Sequence, residues 1–367
     1  MAKVAVLKTC PATVVEDYGR LLELAQAGEL LSPQRQTCLK INITWQHYYP
    51  ACSTTPWQLE GVVKALMAAG HSPQGLFATH NRTVVVDDRV GRINNGHGVV
   101  EEKYHLPTIH LNDPDTEWVR YEPKGKLLVL DQVYPQGIYI PKFLMGKDVV
   151  QLPTMKTHVF TTITGAMKNA FGGLLHTNRH WTHSVIHETL VDLLVISREI
   201  HPGLFAVMDG TIAGDGPGPR AMIPHVKNYI LASGDWVALD AVAAKMMGFE
   251  PLSLPFIRLA HERGLGVGDP QHIEVVGDDI SGLNFHFHGN QNTFASRGQK
   301  MIYHGFLKPL EKFLLRSPIV GWSYIASRVY HDLYWYNVIG KRRVKKILDT
   351  EWGHLFSRYM RSSRDSA

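Results

Sequence analysis

The sequence predicts an α/β protein: a mostly parallel sheet with helices on both faces, followed by a C-terminal helical extension. Short apolar runs alternate with stretches of helical period up to about residue 283, the pattern that builds a parallel sheet covered by helices. The 367 residues are 44% hydrophobic and 19% charged, enough length and apolar content for a sizeable core. Beyond residue 283 the composition changes to a His- and Asn-rich connector and then a basic, aromatic, helical tail, which divides the chain into a body, 1–283, and an extension, 284–367.

Residues 4–7 form a first strand. A helical pattern through Val14, Tyr18, Leu21 and Leu22 follows Pro11 and stops at Gly28. A second strand covers 37–44. Thr55-Pro56 opens a helix through Val62, Val63, Leu66 and Met67, and Gly70 ends it in the left-handed geometry common just past a helix. A third strand follows at 75–79. Residues 89–115, rich in Gly, His and Asn and without a period, read as an insertion or long functional loop. Strand-like fragments at 127–130 and 138–141 bracket a turn at Tyr134-Pro135, and a junction of two lobes near 120–150 is an alternative organisation of the body.

Further on, a helix spans 184–200 and a strand spans 204–208, ending on Asp209-Gly210. A Gly-Pro loop covers 214–219 and a strand 229–232. Asp235 caps a helix that Gly248 ends, and a helix at 257–263 precedes a last strand at 273–276.

Residues 149–173, VVQLPTMKTHVFTTITGAMKNAFGG, hold the densest group of polar side chains between a strand end and a helix. Lys156 and His158, two apart, share one face of an extended segment, with Thr157 between them. A lysine charge beside a histidine that exchanges protons suits acid–base chemistry on an anion, whereas the plain alternative is a structural histidine and a solvated lysine. Thr164, Gly165, Lys168 and Asn169, closed by Gly172, fit a loop-to-helix anion site or, more simply, an ordinary helix cap. The spacing is not that of a P-loop.

Asp209 ends a strand, where open parallel sheets place ligand contacts, and Asp215 follows in the loop. Either could orient His158, bind a divalent ion or act as a base; both also suit a turn. The loop GDGPGP has no helix opening behind it and is not a dinucleotide fingerprint. His176, His180, His183 and His187 are spaced by four, three and four, so on one helix they would share a face able to meet a metal ion; a solvated cluster is the alternative. Lys40 and Asn42, at the end of LKIN, add a second positive wall.

Four segments, LKIN at 39–42, QLPTMKTHVFTTITGAMKNAFGG at 151–173, MDGTIAGDGPGP at 208–219 and ILASGDWVALDAVAAKMMG at 230–248, resemble the signature of the domain of unknown function 362 family. The resemblance covers roughly residues 37–278 and implies an α/β fold with little biochemistry attached. Relatives with a ferredoxin-like module imply redox work. Cys10, Cys38 and Cys52 form no C-x-x-C pair, so no iron–sulfur cluster is encoded here.

The net charge of +5 is uneven. From Arg297 onward there are fourteen Lys and Arg against five acids, an excess of 9 that leaves the body slightly acidic. In the tail Phe306, Leu310, Phe313, Trp322 and Ile325 are interleaved with Lys308, Lys312, Arg316 and Arg328. Such a mixture suits a membrane surface, a protein partner or a flap on the body; no nucleic-acid motif accompanies it. With no leader pattern and no apolar run of spanning length, the expected place is the cytoplasm, with the inner membrane face as an option.

The function expected is an enzyme of isomerase, lyase or cyclase type acting on an anionic small molecule, without a bound redox cofactor and with a divalent metal as an option. The alternatives are a redox component borrowing electrons from an iron–sulfur partner and a non-catalytic ligand-binding protein at a membrane surface.

Overall fold

The computed structural model describes the whole chain except residues 176, 290, 304, 307, 312, 314–319, 366 and 367. Its strands are β1 (Ala2–Lys8), β2 (Thr37–Ile41), β3 (Leu76–His80), β4 (Thr108–His110), β5 (Trp118–Tyr121), β6 (Ile138–Pro141), β7 (Asp148–Leu152), β8 (Thr154–His158), β9 (Thr162–Ile163), β10 (Leu204–Asp215), β11 (Ile223–Ser233) and β12 (Ile273–Gly277). The main sheet runs β12-β1-β11-β10-β7-β2-β3-β4, with β8 and β9 branching from β10. Only β11 runs against its two neighbours along that path, so the sheet is mostly parallel. Strands from both sides of 120–150 share it, and β5 and β6 form a small separate hairpin-like pair.

Each strand's alternating side chains enter two cores, as a period of two requires. Val4, Val6, Cys38, Val149, Ala206 and Met208 enter one; Ala5, Leu7, Leu39, Val150, Phe205 and Val207 enter the other. The first core is closed by α7 (Ala166–Leu174), α8 (Ile186–Ile200), α9 (Trp236–Met247) and α10 (Pro255–Glu262). The second is closed by α1 (Val14–Leu24) and α3 (Pro56–Ala68), and by Trp335, Val344, Ile347, Trp352 and Phe356 of the extension. Half of the extension is therefore a flap packed on the body.

Local chemistry explains the boundaries. Thr55 and Gln58 form a capping box at α3, and Asp235 Oδ1 accepts the amides of Val237 and Ala238 at α9. Gly70 and Gly248 have φ of 95° and 101°, as expected of residues just past a helix.

Three sequence expectations are corrected. Residues 89–115 are not a loop: they contain two short helices, Asp88–Asn94 and His97–Lys103, and β4. These helices are too short and too irregular in polarity to show a period. Residues 127–130 are not a strand, because the Asp192 carboxylate gathers the amides of Leu128, Val129 and Leu130 into the start of a helical turn, Leu130–Val133. The strand placed at 204–208 continues to Asp215, since β10 must serve first β7 and then β8.

Candidate functional site

Pro153 separates β7 from β8, and both then pair with β10 in succession. Its carbonyl accepts from Asp209 N at 3.0 Å, which holds the step. The effect is to carry the chain past the ordinary sheet end, so that Lys156 and His158 stand beyond the carboxyl ends of β2 and β7. Parallel sheets place ligands at these ends.

Lys156 is buried, its Nζ donating to Cys52 O at 2.7 Å and hydrogen-bonded to Thr154 Oγ1 at 2.6 Å. Asn42 Nδ2 reaches the same Cys52 carbonyl at 3.1 Å. Lys40 is buried on β2, donating to Ile41 O and Asn81 Oδ1, both at 2.7 Å. Asn169 on α7 spans the gap, its Nδ2 donating to Lys40 O at 2.9 Å and Gln151 Oε1 at 2.8 Å. Gly172 and Gly173 leave the room this requires: a Cβ would meet Asn81 Oδ1 at 2.8 Å and Lys40 Cε at 2.8 Å respectively. Arg179 donates to Gly172 O at 2.9 Å and Arg82 O at 2.5 Å, and Lys168 lies over the Phe171 ring at 5.2 Å.

These cations form a linked set in a largely buried setting: Lys168 acts on Lys156, and Arg179 acts on both Lys40 and Lys168. Burial, with Lys168 adding, pushes the Lys156 ammonium down to about 7. Burial and Arg179 push Lys40 down to about 7 and Lys168 to about 8. Burial pushes Arg179 to about 10. Among the described residues acting on the four, the only carboxylate is Asp88, at Lys40. Buried charge normally comes paired, and unpaired positive charge gathered at one place is a preformed complement to an anion.

His158 sits beside this charge with a fixed tautomer. Its Nδ1 accepts the amides of Phe160 and Thr161 at 3.2 and 3.3 Å, which leaves the proton on Nε2. Burial, then Lys168, His183 and Lys156, hold the imidazole well below its ordinary range. The tight turn behind it puts Thr162 at φ 65°, an unusual conformation for a β-branched residue and one that clusters at functional sites. His183 carries the opposite tautomer: its Nδ1 lies 3.0 Å from His180 O and must donate, leaving a lone pair on Nε2. Burial and Lys168 push it down to about 3. Both rings flank Phe160, at 6.0 and 5.6 Å.

Other sequence candidates lie elsewhere. Asp209 does not orient His158. It is fully buried toward the second core, where Tyr18, Thr55 and Trp57 donate to Oδ2 and the Thr211 amide and hydroxyl to Oδ1. Asp215 binds His288 of the connector through N at 2.6 Å and Nδ1 at 2.9 Å. Thr157 donates to Gly216 O, and Thr164 to the Thr154 and Lys156 carbonyls, so both are backbone ties. The acceptor expected at the loop-to-helix turn is the protein's own carboxyl group, not a ligand: Asp240 Oδ1 and Oδ2 accept from Ala166 N at 2.7 Å and Met167 N at 3.1 Å.

The shared histidine face does not form. Thr177–Val185 is a tight three-residue-per-turn helix, and α8 begins only at Ile186. His180 faces Tyr324, His183 faces Tyr303 and Phe171, and His187 stacks on Phe256; His176 lies outside the described residues. Among the described residues no three His, Cys, Asp or Glu side chains stand together as a metal site.

Sequence reasoning overlooked Arg179, Asn81 and Gln151. Gln151 was visible as a polar residue inside an apolar run, and Arg179 was hidden among the histidines whose spacing drew attention instead.

A family model described as "Domain of unknown function (DUF362)" matches residues 37–245, from β2 into α9, and all four cations fall inside it. The chain belongs to this family. Within the DUF362 match lie also His158, His183 and Asp240, while the extension lies outside. A relative, the thylakoid-associated protein sll1697 of Synechocystis sp., is 27% identical over 256 residues, 67% of this DUF362 chain and 73% of the relative.

Proposed function

We propose that this chain is an enzyme that binds an anionic small molecule and carries out proton-transfer chemistry on it, of isomerase, lyase or cyclase type. The observation that supports this is the linked set of Lys40, Lys156, Lys168 and Arg179, tied together around Asn169 and Gly172–Gly173, on which Asp88 is the one carboxylate acting among the described residues. Bound anion would restore the lysines' charge. His158 would donate a hydrogen bond from Nε2 to a substrate oxygen, the Nε2 lone pair of His183 would accept a hydrogen bond from the substrate, and a neutral lysine of the set would take up the proton. Held well below its ordinary range, the His158 imidazole would serve as a hydrogen-bond donor rather than exchange protons with the anion. A thermal-shift screen of phosphorylated and carboxylated metabolites, followed by turnover assays, tests the reading. A stabilising hit that is converted by the wild type, but not by Lys168→Ala or His158→Ala, is the expected result. Folded variants that keep full turnover would sink it.

A second reading concerns place. Among the described residues no helix is long and apolar enough to cross a membrane. The thylakoid association of the relative named above, together with the basic extension, supports work at a membrane surface. Fractionation of cells, with the chain recovered with membranes at low salt and released at high salt, is the expected outcome; recovery only in the soluble fraction at both would oppose it.

A further inference from the structure

The extension contains a continuous run of helical backbone from α12 (Gly321–Arg328) through wider π turns at Val329–Gly340 into α13 (Lys341–Leu348). One side of it is locked to the body. Asp332 Oδ1 accepts from Trp45 Nε1 at 2.6 Å, Trp335 is buried against Trp45 and Tyr49, and Tyr336 donates to Tyr48 O at 3.1 Å. Further along, Arg343 donates to Met222 O at 2.7 Å while Val344 and Ile347 are buried. The helix therefore cannot roll.

Its outward side is apolar where water would favour polar residues. Trp322, Ile325, Val329, Leu333, Tyr334 and Val338 are all exposed, Ile325 at 66% and Leu333 at 68%. With about 100° per residue in the α part and a little less in the π turns, these six fall on one face, opposite Asp332 and Trp335. Single exposed apolar side chains need no explanation, but an aligned row of six does. The row runs directly into KRRVKKIL, with five cations and no acid, and there Lys341, Arg342, Lys345 and Lys346 are exposed.

We infer that this outward face is a docking surface for an anionic lipid bilayer, the apolar row entering the boundary between headgroups and acyl chains and the basic end meeting the headgroups. The inference rests on the membrane-surface reading above and gives it residues and a charge requirement. Charge complementarity selects the occupant: aromatic and aliphatic side chains followed by unopposed cations match an acidic, apolar-backed surface. The face also adjoins the cation site. Arg328 donates to Val84 O at 3.3 Å, while two residues upstream Arg82 O receives Arg179.

The full chain is tested by co-sedimentation with vesicles of phosphatidylcholine alone or mixed with phosphatidylglycerol, at low and high salt. Binding to the phosphatidylglycerol vesicles, weakened by salt, is expected. Ile325→Glu with Leu333→Glu should cut it at least about tenfold, and Lys341→Glu with Lys345→Glu should remove the preference for anionic lipid. These positions are exposed, so melting temperature and inorganic pyrophosphate binding should not change; their preservation separates a failure of docking from a failure of the anion site. Absence of vesicle binding, or binding that the Ile325/Leu333 variant retains, overturns the inference. So does a concentration-dependent dimer that the same variant abolishes, which would assign the face to a second copy.

Discussion

A Cβ added to Gly165 would stand 2.2 Å from Asp240 Oδ1, the atom that binds the first amide of the helix carrying Lys168 and Asn169. Gly165 also has φ 132°. Gly165→Ala must displace that carboxylate and pay for a strained backbone as well, so a loss of about 3 kcal/mol is expected in urea denaturation. A cost within error of zero would show that α7 starts differently.

Asp240 itself carries a pH signature. Burial pushes its carboxyl up to about 8, outweighing the two amides that favour the charged form. An acid whose folded value lies above its ordinary value of about 4 keeps its proton longer folded than unfolded, so its contribution falls as pH rises from roughly 4 to 8. Urea denaturation across that range should show a steeper fall for the wild type than for Asp240→Asn, whose remaining slope comes from Asp192, Asp209 and Asp235, also raised by burial.

Lys156 predicts the opposite slope in a higher window. Its folded value near 7 lies below the ordinary value of about 10.4, so the unfolded chain binds the extra proton between those limits. The penalty is complete below pH 7 and is relieved as pH rises toward 10. Lys156→Met should make this rise shallower, Lys40 and Lys168 supplying the rest, when stability is measured at pH 7, 8.5 and 10.

An anion entering the site should be accompanied by protons. Titrating inorganic pyrophosphate near pH 7.5 in buffers of different ionisation enthalpy should reveal proton uptake, because Lys40, Lys156 and Lys168 regain charge beside the ligand. Arg179→Met should weaken binding about 10- to 100-fold, the range for a charge-assisted contact, and should leave the fold at least as stable. Buffer-independent binding heat would count against charge restoration.

Asp209 should behave as a structural group. Asp209→Asn must turn an amide toward donors that already number five, and a loss of about 2 kcal/mol or more is expected, with pyrophosphate affinity unchanged in whatever fraction folds.

The fold was legible because buried strands and capped helices leave local marks: Thr55, Asp235, Gly70 and Gly248 all act where their residue types suggest. The site was legible only in part. Lys156, Lys168 and Lys40 stand out as charges at strand and helix ends, and the structure sets Lys168 near Lys156 and Arg179 near both Lys40 and Lys168. Asp209 could not be assigned, because its partners Tyr18 and Trp57 are more than 150 positions away along the chain. Nor could the filling of the α7 terminus by Asp240, 74 positions from Ala166. A local pattern announces that an amide needs an acceptor; it does not say whether a ligand or a distant side chain supplies one.

The first strand has a consequence for biosynthesis. β1 pairs with β11 on one side and β12 on the other, so both of its edges are covered only by strands synthesised roughly 200 residues or more after it. At roughly 5–20 residues per second, an apolar AKVAVLK waits on the order of ten seconds or more before its edges are covered. During that delay it is a strand with both edges open, the state most prone to pairing with another chain.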